Sequence, residues 1–116
     1  MALTRNFKDT IKERAVRDPE FREGLLRESV ECMLSGDIET GKSILRDYIN
    51  ATIGFEELGN LTDKSPKSLM RMLSISGNPT ASNLFEMIEM LREKEGVNFE
   101  VHTVQQKNAS NAREHA

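Results

Sequence analysis

Apolar positions recur at helical spacing along most of the chain and turn to strict alternation only near its end. Over residues 4–16, Phe7, Ile11 and Ala15 share one stripe, which predicts an amphipathic helix capped by Thr4. Asp18-Pro19-Glu20 then signals a second start: a cap, a proline where no N–H is needed, and an acid suited to the helix dipole. Phe21, Leu25, Leu26, Val30, Met33 and Leu34 form the expected buried side of this second helix, which runs to about Ser35. Gly36 is placed to end it in the left-handed conformation. Gly24 inside it costs stability relative to alanine unless another helix packs closely there. Asp37 caps a third helix over residues 38–51, with Ile38, Gly41, Leu45, Tyr48 and Ile49 on one face and Ile44 beside it. Gly41 would let a neighbouring helix approach.

The next stretch, GFEELGNLTDKSPKSLMRML, is predicted as two short helices with a polar break. Phe55, Leu58 and Gly59 fall on one face of residues 55–60, and Leu61-Thr62-Asp63-Lys64 makes the break. Ser65 caps the second piece with Pro66 behind it, and Leu69, Met72 and Leu73 give an i, i+3, i+4 stripe. This is the layout of a helix-turn-helix, in which the second helix keeps one face on the core and offers the other to a DNA major groove. The outer face here carries Lys67, Ser68, Met70 and Arg71. A loop with strong turn chemistry follows, Ser74-Ile75-Ser76-Gly77-Asn78-Pro79. Thr80 or Ser82 then opens a long helix with Leu84, Phe85, Met87, Ile88 and Leu91 on its apolar side, Met90 on the flank and Gly96 at its end. Residues 97–104 alternate, with Val97, Phe99 and Val101 pointing one way, so a strand is expected. One strand is not stable by itself. Two partners are open to it: a symmetry mate in a dimer, or its own helices as an extended tail. From Gln105 the chain is polar and is expected to be disordered.

The run SPKSLMRMLSISGNPTASNLFEMIEML resembles the C-terminal half of small Xre/Cro-like regulators of the addiction-module antidote family. Leu58, Ser65, Ser68, Leu69, Arg71, Leu73, Ser74, Gly77-Asn78-Pro79, Asn83-Leu84, Ile88 and Leu91 carry the likeness, which covers roughly residues 38–104. Three positions depart from the family pattern. Gly59 stands at the usual alanine, Asp63 at the usual turn glycine, and Lys64 at a position that is usually apolar. The resemblance implies an all-α, Cro/lambda-repressor-like bundle with a helical extension over residues 1–36, a helix-turn-helix domain with a C-terminal strand over 37–104, and a tail over 105–116. It also implies an autorepressor that binds double-stranded operator DNA as a homodimer, and a small toxin protein as a partner. Residues 4–35 lie outside the DNA-binding module and are candidates for binding toxin or for dimerisation.

Composition modifies this picture at a few points. A net charge of −3 argues mildly against purely electrostatic DNA binding, although only the docking face meets phosphate. Arg5, Lys8, Lys12, Arg14 and Arg17 on the first helix read as a solvated face in preference to an arm that touches DNA backbone or a partner protein. Tyr48 is expected at the edge of the core with its hydroxyl at the surface, and Cys32, the single cysteine, as a buried thiol. His102 and His115 with Cys32 make no zinc spacing. There is no P-loop, GxGxxG or GxSxG, so no enzyme is expected and no cofactor or metal is called for. No signal-peptide core or membrane-length apolar run is present, which predicts a cytoplasmic protein.

On the DNA-binding reading, Lys67, Ser68 and Arg71 contact bases, Met70 offers an apolar contact, and Ser65 with Pro66 sets the helix entry. Lys64, Ser76 and Asn78 position the phosphate backbone. Lys42 and Arg46 are either further phosphate contacts or ordinary surface charge. The rival reading is a protein–protein adaptor on the same helices. A continuous positive stripe through Lys64, Lys67 and Arg71 would favour DNA, and a stripe broken by Glu56, Glu57 and Asp63 would favour the adaptor.

Overall fold

The computed structural model describes residues 2–106, with side chains from Asp9 onward. Among the described residues the chain is all-helical: α1 (Ala2–Arg17), α2 (Pro19–Leu34), α3 (Ile38–Ala51), α4 (Gly54–Thr62), α5 (Pro66–Met72) and α6 (Ala81–Glu95). The place of Phe7 on the first stripe and the tail from Lys107, His115 included, lie outside the described residues.

Most starts and stops follow from local chemistry. Asp18, Asp37, Ser65 and Thr80 each accept a backbone N–H three residues on, from Phe21, Thr40, Ser68 and Asn83. Gly36 and Gly96 take positive φ just past α2 and at the end of α6. Thr4 is the exception, because α1 already begins at Ala2 and Thr4 lies inside it. The helix α4 also runs two residues beyond its expected end. Thr62, its last residue, is buried, and its hydroxyl donates back to Leu58 O at 2.8 Å, so the polar group is satisfied within the helix.

α3 is the hub, with α1, α2 and α4 packed on it, while α6 closes over α4. The buried cluster runs from Leu26 on α2 through Leu45, Tyr48 and Ile49 on α3, and Phe55 and Leu58 on α4. It continues to Leu69 and Leu73, then to Met87, Ile88 and Leu91 on α6. Burying a side chain of this size contributes about 1.5–3 kcal/mol. One polar network ties the periphery together. Glu95 accepts from Arg22 Nε at 3.0 Å and from the Tyr48 hydroxyl, and Arg22 Nη1 donates to Ala15 O at 2.6 Å. Three helices therefore meet at one carboxylate, and α1 joins them through Arg22. Tyr48 is 2 % exposed, so its hydroxyl is buried in this network and not at the surface as expected. Burial first, and then the bond to Glu95, push the Tyr48 phenol well above its ordinary range.

Three apolar residues expected on buried faces stay open. Leu34, Ile38 and Phe85 are 64 %, 42 % and 58 % exposed. Met87 takes the inward position on α6, and the three line an apolar groove of about 480 Å³ between α2, α3 and α6. Cys32 is half-buried, and its thiol is pushed up by that burial and then by the carboxylates of Asp37, Glu28 and Glu31. No strand forms among the described residues. The alternation after Gly96 survives as alternate burial: Val97 and Phe99 are half-buried, Asn98 and Glu100 are exposed, and Phe99 packs on the core cluster. Val101 and Val104 are 79 % and 83 % exposed. Among the described residues nothing supplies the second strand that a ladder needs.

Candidate nucleic-acid interface

The α4–α5 corner turns on Asp63. Its φ of 57° and ψ of 45° place it in the left-handed region, where aspartate is tolerated in place of glycine. Lys64 N donates to Gly59 O at 3.0 Å and closes the turn. Gly59 has to be small, since a Cβ there would lie 2.6 Å from Lys64 O. Ser65 then caps α5 through the Ser68 N–H at 3.1 Å, with Pro66 at the first helical position. The Ser65 hydroxyl is therefore engaged in the cap, and its part at this surface is to fix how α5 starts.

α5 divides cleanly into two faces. Leu69 and Leu73 are 0 % and 1 % exposed, with Met72 half-buried beside them. On the other side Lys67, Met70 and Arg71 are exposed and Ser68 is half-buried. Among the described residues, no acid pairs with Lys67 or Arg71. A lysine and an arginine one helical turn apart thus stand free on the side opposite the core. Guanidinium and ammonium donors in that state suit phosphate oxygens and the acceptor edge of guanine.

Lys64 behaves differently from that pair. Its ammonium lies 2.6 Å from Glu86 Oε1 on α6, so it braces the turn against α6 and is already neutralised. Glu57 is paired with Lys94 at 3.3 Å, and Glu56 and Asp63 are exposed. The stripe through Lys64, Lys67 and Arg71 whose continuity would favour DNA is therefore interrupted at its first member, by Glu86.

Ser76 and Asn78 are exposed on the loop after α5. That loop is held from behind by two residues whose expected roles the structure revises. Lys42 is 1 % exposed. Its ammonium donates to Ser74 O at 2.9 Å and Gly77 O at 2.7 Å, and pairs with Glu39 at 3.0 Å. Arg46 Nη1 donates to Leu73 O at 2.8 Å. Neither is ordinary surface charge, and Lys42 is too deeply buried to touch a phosphate. The loop adds its own closure through Gly77 N to Ser74 O at 3.0 Å and Ser74 Oγ to Arg71 O at 2.7 Å. Gly77 admits no side chain, because a Cβ would sit 2.0 Å from Arg71 O. The sequence does hold a signal for Lys42. It lies at the i+4 position of the Ile38–Leu45–Ile49 stripe, and a lysine on a buried stripe demands partners.

No group of acids, histidines and cysteines able to hold a metal occurs among the described residues, and no helix there is long and apolar enough to cross a membrane. Comparison with protein-family models, characterised proteins and solved structures returns no match for this chain.

Proposed function

We propose that the chain is a Cro-like helix-turn-helix regulator that binds operator DNA as a homodimer in the cytoplasm and represses its own transcription. The observation that carries this reading is the outer face of α5, where Lys67 and Arg71 stand exposed and, among the described residues, unpaired, on a helix fixed by a cap, a left-handed turn residue and a buried stripe. Arg71 and Lys67 read bases, Ser68 and Met70 flank them, and Ser76 and Asn78 on the next loop meet the phosphate backbone. Residues 97–104 form the proposed dimer strand, for which the exposed Val101 and Val104 are available. By the family resemblance, the proposed further partner is a small toxin protein held through α1 and α2, and the chain is its antitoxin.

Fluorescence anisotropy tests the DNA reading, with a duplex from upstream of the coding region, a random duplex as control, and a salt series on both. The expected result is binding to the upstream duplex at least about a thousandfold tighter than to the control, weakening as salt rises. Equal, weak binding to both contradicts it. Sedimentation giving a monomer at tens of micromolar contradicts the dimer.

The adaptor reading keeps one specific support, the neutralisation of Lys64 by Glu86 within a chain of net charge −3. It predicts a protein partner and the equal, weak DNA binding just described.

A further inference from the structure

We infer that Lys42, assisted by Arg46, is a positioning residue for DNA binding, setting the 74–78 loop without touching the DNA itself. The inference rests on the DNA-binding reading above and adds to it a device built from α3. The loop leaves α5 at Leu73 and carries the exposed Ser76 and Asn78. Three of its carbonyls, those of Leu73, Ser74 and Gly77, point back towards α3 and are taken up by two cations one helical turn apart.

An ammonium that is 1 % exposed carries a desolvation cost, which its three oxygen partners offset. The charge-assisted bonds hold both ends of the Ser74–Gly77 turn at once. A neutral side chain without donors would leave the Gly77 carbonyl without its lysine partner and the Ser74 carbonyl with the Gly77 N–H alone, which loosens the turn. The loop also has little freedom of its own, since Gly77 is packed against Arg71 O. Its position is therefore set jointly by that packing on α5 and by the two cations of α3, and the exposed Ser76 and Asn78 are carried on the segment so held. A contact residue and a positioning residue differ in one measurable way. A cation that neutralises a phosphate releases counterions and steepens the salt dependence, and a buried cation that arranges neutral donors does not.

The test uses the full chain and the upstream duplex. Lys42→Gln keeps one donor, and Arg46→Met removes the second brace. Circular dichroism checks that each is helical at the assay temperature, and Arg46→Met carries the comparison if Lys42→Gln is unfolded. The expected result is a loss of affinity of about tenfold for Lys42→Gln and about threefold for Arg46→Met, the same for every operator variant. The slope of log affinity against log salt is expected to stay at the wild-type value. In a Ser76→Ala/Asn78→Ala background either substitution is expected to cost little more, because the loop contacts it serves are already gone. A slope lowered by about one marks a direct phosphate contact and overturns the inference. So does full additivity with the loop variants, or unchanged affinity in a folded variant. Wild-type protein with no preference for the upstream duplex removes the DNA reading and this inference together, a result distinct from the other three.

Discussion

Two basic pairs with the same spacing meet opposite fates in this fold. Lys42 and Arg46 on α3 turn inward and hold the carbonyls of Leu73, Ser74 and Gly77, while Lys67 and Arg71 on α5 stand in solvent without acid partners among the described residues. Spacing and charge are identical, so neither explains the difference. Position relative to the apolar stripe does. Lys42 lies in register with Ile38, Leu45 and Ile49, whereas Lys67 and Arg71 lie opposite Leu69 and Leu73. A cation on a stripe is forced to find oxygen partners inside the protein, and a cation opposite a stripe remains available to a ligand. Counting basic residues is therefore a poor guide to a DNA surface, and asking which face each occupies is a better one.

The comparison is broken most strongly by removing the inner charge. Lys42→Met should cost about 2–3 kcal/mol of stability, because it leaves the Ser74 and Gly77 carbonyls without their charged donor. Chemical denaturation would read this, and a cost under half a kcal/mol would mean that α3 does not hold the loop. The outer pair should behave in the opposite way. Arg71→Ala should leave stability within about 0.5 kcal/mol of wild type. Its operator discrimination at one base pair should fall by about 1–3 kcal/mol. A loss spread evenly over all operator variants would reassign Arg71 from bases to backbone.

Tyr48 extends the inward side of α3 and sharpens the contrast through pH. Its folded phenol is pushed above the ordinary value of 10.0, so it holds its proton more tightly folded than unfolded. The stability this contributes is fully present below pH 10 and is lost as pH climbs beyond it. Unfolding free energies from pH 8 to 11 should decline, and Tyr48→Phe should remove part of that decline; an unchanged pH profile in the variant would contradict the burial argument. The smallest effect serves as a control far from both pairs. Among the described residues, a Cβ at Gly24 meets only the tip of Arg27, at an ordinary 3.6 Å. Gly24→Ala should stabilise by about 0.5–1 kcal/mol through helix propensity and leave DNA binding unchanged. Destabilisation would point to a contact at that site.

Much of this is legible in the sequence. Asp18, Asp37 and Ser65 cap the helices as their type and place suggest, and Gly36 and Gly96 end them. Asp63 takes the left-handed turn position that its place in the pattern requires. The two faces of α5 follow from the spacing of Leu69 and Leu73 alone. What escaped was pairing at a distance. Nothing local tells that Lys64 meets Glu86, that Arg22 and Tyr48 share Glu95, or that Lys42 reaches Ser74 and Gly77. These contacts depend on how helices cross, and periodicity within one helix carries no record of that. Phe85 illustrates the same limit, since a wide apolar stripe does not say which of its members turns inward once Met87 takes the core position. The alternation expected over residues 97–104 appears as alternate burial over 97–100 and stops at the exposed Val101, since an alternating segment needs a partner to become a strand.

The most direct test of the central claim is a titration of isotope-labelled protein with the upstream duplex, following backbone amide shifts by nuclear magnetic resonance. The account predicts the largest changes at residues 65–71 and 76–78, with small changes along α2 and the outer side of α1. Changes centred on α2, or on the groove beside Phe85, with α5 silent, would contradict it and would place the working surface of the molecule elsewhere.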